Sequence, residues 1–565
     1  MKKNLFFGLS LLVAIFFSSC KNMTDLDPSL FTCTPNPLET KAGKVDATVT
    51  GTFPVKYFNK NAVVTVTPVL KMSNGESVKG QPSVYQGEKV VGNDNVIAYK
   101  AGGTYTLNAS FDYVPAMDVS ELFLEFNVVA KKKTYDLKPV KVADGVLSTS
   151  ELLQTGNLSA AIIPDKFERD IMQMTDAEIL FLIQQSTVRK SETSSDDIKA
   201  LTQKIVEAKD ALNQTVEALR ISSYASPDGA VSLNTNLAER RQKETEKFLN
   251  AELKKIKSNL TVESRFTPED WEGFQKLMEE SNIQDKQLIL RVLSMYQDPE
   301  QREREIKNLS AAFKQIADEI LPQLRRSQLK LIVKVTGKSD SEISQLAKDD
   351  ASQLNVEELL YAGKIAQSLD EKAAIYQKAV NAYGSDIRSH NNLGAVKYQQ
   401  GNIDAAAGLF AKALQIDSKN ADANYNAGLC ALAKGDNDAA NAYFGKAAGT
   451  SGDIKNATGT YYVATGDYAK AKSSFAGVNS NNAALAQILN KEYNAAKNTL
   501  SAVKEPDAMT AYLSAVVAAR TNDKDGVYSN LKSAIGKKSE CASKAANDIE
   551  FAKFKTDATF QSIVK

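Results

Sequence analysis

Ser226, Asp228, Asn234, Arg240 and Arg241 place a hydroxyl, a carboxylate, a carboxamide and two guanidinium groups in one short stretch, close behind Tyr224. A guanidinium is a planar donor fork that matches a carboxylate, and the main-chain N–H groups at a helix entry add partial positive charge. The chemistry open to such a set is non-covalent capture of a charged ligand. Catalysis has little to draw on: the chain holds one His, and no nucleophile paired with a base, no metal-ligand spacing and no phosphate loop stands out. No enzyme activity and no cofactor are expected.

The elements that must position these groups can be read from the same stretch. Leu219 and Ile221 open it as a short apolar strand, Ser226-Pro227-Asp228-Gly229 is a turn sequence, and Leu233, Leu237, Phe248 and Leu249 recur at helical spacing. Strand, loop and helix put the loop at a helix entry, where an anion can sit. The alternative is a tight turn followed by a helix whose arginines are merely solvated.

The stretch resembles the peptidoglycan-binding motif of the OmpA-like family, in which a strand ends in a G-H-T-D-type loop followed by a glycine, an asparagine and L-S-x-x-R-A on a helix. Ser223-Tyr224-Ala225-Ser226 match the loop, and Gly229, Asn234 and Leu237-Ala238-Glu239-Arg240-Arg241 match the remainder. Ala177 to Leu182 is similar to the family's first strand, and Leu324-Arg325-Arg326-Ser327 with Leu329 to Val335 is similar to its closing strand. The resemblance spans about Ile171 to Val335. It implies an α/β sandwich that binds peptidoglycan, with Arg241 on the diaminopimelate carboxylate. Ser226 stands where the family's aspartate holds the diaminopimelate amine, and Asp228, two residues on, offers a substitute. Tyr224 and Asn234 complete the candidate set.

A chain of 565 residues has room for three or four domains. Lys+Arg of 69 against Asp+Glu of 68 leaves a net charge of +1, so no strong field draws the protein to nucleic acid. Four Cys in this length are not a disulfide framework. Lys2 and Lys3 precede an apolar run from Leu5 to Phe17, too short for a comfortable membrane span, and residues 1–19 read as an export signal. Phe17-Ser18-Ser19-Cys20 resembles a bacterial lipoprotein box with Phe17 in the usual leucine position. Lipid on Cys20 would hold the mature chain to a membrane. Cleavage near Ser19 without lipid, or a disulfide from Cys20 to Cys33, are the alternatives.

Residues 20–40 read as a polar tether. From 41 to 150, apolar and polar residues alternate in Val45 to Val49, Val63 to Val69, Tyr105 to Phe111 and Leu122 to Val129, with turn signals at Ser73-Asn74-Gly75, Gly92-Asn93-Asp94 and Gly102-Gly103. The pattern predicts an all-β sandwich, with Lys131-Lys132-Lys133 at a solvated hairpin end. The OmpA-like region is bounded at 165–337, with an amphipathic helix from Asp196 to Ala208. A helical insertion occupies about 267–321, opening at Thr267-Pro268-Glu269-Asp270-Trp271, where Thr267 can cap. A second helix starts at Asp298-Pro299-Glu300 and carries Ile306, Leu309, Phe313, Ile316 and Ile320. Residues 338–355 read as a linker.

From 356 to 540 the pattern repeats. Leu393-Gly394, Gly401, Ala406, Phe410 and Ala413 fall at the offsets of a tetratricopeptide repeat within the 34 residues from Ile387 to Asn420. Gly428, Gly435, Ala440, Phe444 and Ala447 repeat the spacing. Weaker copies follow at Gly459, Gly466, Ala471 and Phe475, at Tyr493, Ala496 and Leu500, and at Leu531 and Ala534, with an earlier degenerate copy over Glu357 to Tyr383. Residues 541–565 read as terminal capping helices, and His390 and Cys430 as core residues. Stacked helix pairs form a concave surface suited to a partner's peptide or helix.

Taken together the chain is similar to outer-membrane lipoproteins of the type found in Bacteroidetes, with an OmpA-like domain and C-terminal tetratricopeptide repeats. Two functions follow. In one, lipid on Cys20 holds the chain to the outer membrane on its periplasmic face, the OmpA-like domain grips peptidoglycan and the repeats bind a protein partner. In the other, the chain is an envelope assembly or secretion scaffold whose OmpA-like domain no longer binds the wall.

Overall fold

The computed structural model describes residues 23–283, 285–308 and 310–565. The export signal, Cys20 and Leu309 lie outside the described residues. Two compact units make up the chain, one running to Pro164 and resuming with Ala366–Lys565, the other Asp165–Ile365.

In the first unit the alternating stretches form strands: β1 (Phe31–Thr34), β2 (Leu38–Lys41), β3 (Lys44–Phe53), β4 (Ala62–Met72), β5 (Ser77–Lys79), β6 (Ser83–Gly87), β7 (Asn95–Ile97), β8 (Gly103–Asp112), β9 (Ser120–Ala130), β10 (Lys133–Asp144) and β11 (Val146–Leu147). They make two sheets. In one, β3 pairs with β1, β2 and β8, and β11 adds to β2; the other runs β10-β9-β4-β6-β7, with β5 on β4. Val45, Val49, Phe53, Val64, Leu107, Leu124 and Phe126 are buried in one core, as period-two burial requires. In the triple lysine, Lys131 and Lys132 form the exposed β9–β10 turn and Lys133, also exposed, opens β10. From Met23 on, however, the tether is part of this fold. Met23, Leu26, Phe31 and Leu38 join the core, and β1 and β2 pair with β3 ahead of the expected boundary at 41. A few apolar residues among Pro, Ser and Thr were enough, because β3 offered an edge to pair with.

After the sandwich, the unit resumes as a helical solenoid. Its hairpins are Ile387–Gln399 with Ile403–Ile416, Ala421–Ala433 with Asn437–Phe444, Ile454–Ala464 with Tyr468–Ser474, Asn481–Leu489 with Tyr493–Ser501, and Ala508–Arg520 with Lys524–Lys537. A Cβ on Gly394, Gly428 or Gly459 would stand 2.7, 2.5 or 2.6 Å from the ring of Phe410, Phe444 or Phe475, which is why each small residue faces an aromatic one across its hairpin. Glu540–Asn547 and Ala558–Ile563 follow the last hairpin, with Phe551 buried against Tyr512 and Phe560 against Phe551, consistent with a solenoid end whose apolar face must be covered.

The second unit holds a four-stranded mixed sheet of β12 (Asp170–Leu180), β13 (Gln214–Tyr224), β14 (Val262–Thr267) and β15 (Arg326–Thr336), in the order β12-β15-β13-β14. β15 is antiparallel to both neighbours and β13 is parallel to β14. The helices Asp196–Asp210 and Val231–Lys255 bury Ile198, Leu201, Ile205, Leu249 and Leu253 against Ile179, Leu219, Ile221, Leu329 and Leu331. Between β14 and β15 the helical insertion builds its own apolar cluster around Phe274, Met278, Ile289 and Ile320. Its first helix begins at Trp271, and the cap is Asp270, which accepts from the N–H of Gly273 at 2.8 Å; Thr267 is instead the last residue of β14. The stretch 338–355 is not a plain linker, because Asp340–Asp349 is a helix entered through a Ser339–Glu342 capping box, with Ile343 and Ala347 buried. The division at 365/366 falls inside the degenerate repeat Glu357 to Tyr383, between the helices Val356–Ile365 and Leu369–Ala382.

Candidate functional sites

The loop after β13 brings the sequence candidates together but leaves little open for a ligand. Arg241, on the second turn-pair of the helix Val231–Lys255, is wholly buried at 0% exposure. Its Nε donates to the carbonyl of Gln185 at 3.0 Å, Nη1 to that of Tyr224 at 2.8 Å and Nη2 to that of Leu182 at 3.4 Å, with the guanidinium 5.1 Å from the Phe181 ring centroid. Burial, and then the charge of Arg325, lower its pKa to about 10, offset in part by Asp228. Each guanidinium nitrogen thus donates to a main-chain carbonyl, and the fork ties β13 to the chain following β12.

Ser226 and Asp228 also satisfy each other. The Ser226 hydroxyl donates to Asp228 Oδ1 at 2.6 Å, while Arg325 donates from Nε to Ser226 Oγ at 3.3 Å and from Nη2 to Asp228 Oδ2 at 3.1 Å. Ser226 is 4% exposed, and the Asp228 side chain keeps 20% of its surface. Asn234 is buried, its Nδ2 donating to the carbonyl of Gly229 at 3.0 Å and to Glu269 at 3.3 Å. Tyr224 is half-buried beneath the guanidinium of Arg326, which also pairs with Asp270 at 2.9 Å. Arg240 is exposed. Among the described residues no group of His, Cys, Asp and Glu is placed to hold a metal ion.

A second constellation was not among the sequence candidates. Asn392, Asn426 and Asn482 sit on the first helices of three hairpins and face the chain's own residues 154–163. The N–H of Gln154 donates to Asn482 Oδ1 at 3.1 Å, and Asn482 Nδ2 donates back to the Gln154 carbonyl at 2.8 Å. The same two-way pairing joins Ala161 to Asn426 at 2.7 and 2.8 Å, and Ile163 to Asn392 at 2.9 and 2.9 Å. Asn391 adds a donor to the Ala161 carbonyl at 3.1 Å, and the hydroxyls of Tyr398 and Tyr425 donate to the carbonyls of Thr155 and Ser159 at 3.3 and 3.1 Å. A primary amide carries a donor and an acceptor side by side and so mimics the edge of a strand. Leu152, Leu158, Ala160 and Ala161 are buried in the solenoid's apolar clusters.

A periodic signal could have found these residues. Asn392 and Asn426 lie 34 residues apart, each two before the small residue that faces the hairpin phenylalanine, and Asn482 stands two before Ala484. A polar residue recurring on a helix whose other positions are buried calls for a buried polar partner. His390, as read from sequence, is a buried residue of the repeat, with Nε2 2.9 Å from the carbonyl of Gly384. Cys430 is buried as well, and its thiol is pushed up to about 12 by burial.

The family pattern described as tetratricopeptide repeat matches residues 397–453. The C-terminal region therefore carries tetratricopeptide repeats. No curated protein matches the chain. Among solved structures, the chain is similar to a tetratricopeptide repeat protein from Parabacteroides merdae (15% identity, 49% of this chain and 99% of that one, TM-score 0.28). It is also similar to PilF from Pseudomonas aeruginosa (16% identity, 40% and 95%, TM-score 0.26). A third is YrrB, a tetratricopeptide protein with an unusual peptide-binding site (22% identity, 30% and 94%, TM-score 0.24).

Proposed function

We propose that the protein is a non-catalytic scaffold of the bacterial envelope, held through lipid on Cys20 to the periplasmic face of the outer membrane, in which the repeats carry protein interaction. The OmpA-like reading of residues 165–337 is supported by the motif's residues falling on a strand, a loop and a helix in the required order. In this reading the unit serves as a packing module and does not grip the wall. The observation that carries it is Arg241, whose three guanidinium nitrogens each donate to a main-chain carbonyl in a buried setting. Among the described residues no helix is long and apolar enough to cross a membrane, so the membrane part of the proposal rests on Cys20 alone.

A membrane-to-peptidoglycan link is the second reading, favoured by Asp228, whose carboxylate keeps some exposure in the loop. Incubating the full-length protein with purified wall fragments separates the two. The scaffold reading expects the protein in the unbound fraction. Retention that disappears in Asp228→Ala or Arg241→Ala, with the variant still folded by circular dichroism, replaces it with the wall link. Labelling with radioactive palmitate, expected for the natural chain and lost in Cys20→Ser, tests the anchor.

A further inference from the structure

The segment between β11 and β12 makes no sheet pairing over residues 154–163, yet its main chain is held as closely as a strand's. Three of its residues, Gln154, Ala161 and Ile163, each pair through both N–H and C=O with one asparagine, and the Ala161 carbonyl accepts from Asn391 as well. The segment runs against the order of the repeats, from Asn482 on a late hairpin to Asn392 on an early one. The pairing stops where the repeat lacks its asparagine. On the intervening hairpin, Ala457 occupies the position two before Gly459, and Gly156 and Asn157, between the paired residues of the segment, are exposed. Register between segment and repeats is therefore set by which hairpins carry the amide.

We propose that residues 154–163 are a ligand bound in cis to a peptide-binding face of the tetratricopeptide solenoid, and that this face is closed to other extended peptides while the segment is in place. The proposal rests on the reading that the repeats bind protein, and it names the occupant of their first-helix face. Recognition is through the main chain, with Leu158 and the small pair Ala160-Ala161 as the buried side chains. A competing peptide needs that pattern: an aliphatic residue two before a pair of small ones, in an extended chain. Because the segment is tethered at both ends, its effective concentration is on the order of millimolar. A free peptide of ~10 μM affinity then meets on the order of a hundredfold competition.

The test uses the full chain and a fluorescein-labelled synthetic peptide of residues 152–164. In one variant, residues 154–163 are replaced by a Gly/Ser stretch of equal length. The peptide is expected to bind this variant with one-to-one stoichiometry, and to bind the natural chain at least about a hundredfold more weakly. A folded variant that does not bind the peptide, or a natural chain that binds it equally well, overturns the proposal. Where the variant does not fold, hydrogen exchange on the natural chain decides. Protection of the Gln154, Ala161 and Ile163 amides that falls at least tenfold at Ala161 in Asn426→Ala supports the cis ligand; exchange at the rate of a free peptide overturns it. No outside partner enters these measurements, so their failure leaves the envelope scaffold reading untouched.

Discussion

Asn426 meets Ala161 as one strand meets another: the Ala161 N–H donates to Asn426 Oδ1 at 2.7 Å and Asn426 Nδ2 donates to the Ala161 carbonyl at 2.8 Å, across 265 residues of sequence. Both groups are buried, so neither has water to turn to. The contact joins the chain between the two sheets' end and the second unit's start to a repeat formed much later.

Asn426→Ala is expected to lower stability by about 1–3 kcal/mol, the usual penalty for stranding buried polar groups. Asn426→Asp is expected to cost more, because a carboxylate keeps the acceptor for the Ala161 N–H but turns an acceptor toward its carbonyl. Urea midpoints of the full-length variants check both. A smaller loss for Asp than for Ala contradicts the two-way pairing.

Arg241→Ala and Arg241→Lys are both expected to destabilise the second unit. Alanine removes the Arg241 donor from three carbonyls, and lysine restores the charge without the fork; a loss of about 1–3 kcal/mol is typical when a buried polar group loses its partner. Thermal melts followed by circular dichroism give the answer. Unchanged melting with altered wall retention would mark Arg241 as a ligand residue and not a brace.

Asp548 gives the pH dependence a sign. It is buried, accepts from the Tyr512 hydroxyl at 2.7 Å, and burial raises its carboxyl above the ordinary 3.8. A raised acid binds its proton more tightly folded than unfolded, so its contribution is full below 3.8 and declines as pH rises through the folded value. Asp548→Asn removes that slope. The thermal midpoint of the variant minus that of the natural chain is expected to increase between pH 4 and pH 7; a flat difference would contradict the shift.

Cys430 is expected to resist alkylation. Its thiol is buried and pushed up to about 12, which leaves almost no thiolate at pH 8. Iodoacetamide labelling read by mass spectrometry is expected to modify Cys430 only after unfolding in urea, whereas the half-exposed Cys33 and Cys541 react earlier.

The sequence by itself determined the elements with strong local periodicity. Val45 to Val49 and Leu122 to Val129 alternate every two residues and became β3 and β9, and the 34-residue spacing of Gly394 with Gly428 became stacked hairpins, because each pattern fixes which face must be buried. Asp298 at a helix entry was legible for the same local reason, its carboxylate accepting from Gln301 three residues on at 2.8 Å. Only the tertiary structure decided the rest. Whether the Arg241 fork faced a ligand or the carbonyls of Leu182, Gln185 and Tyr224 depended on chain folded back from 17 to 59 residues away, and a motif records the donors but not their acceptors. Residues 154–163 lack a period of their own. Their place is set by asparagines more than two hundred residues later, since a main chain bound through its amides needs no particular side chains and leaves little trace in its own sequence.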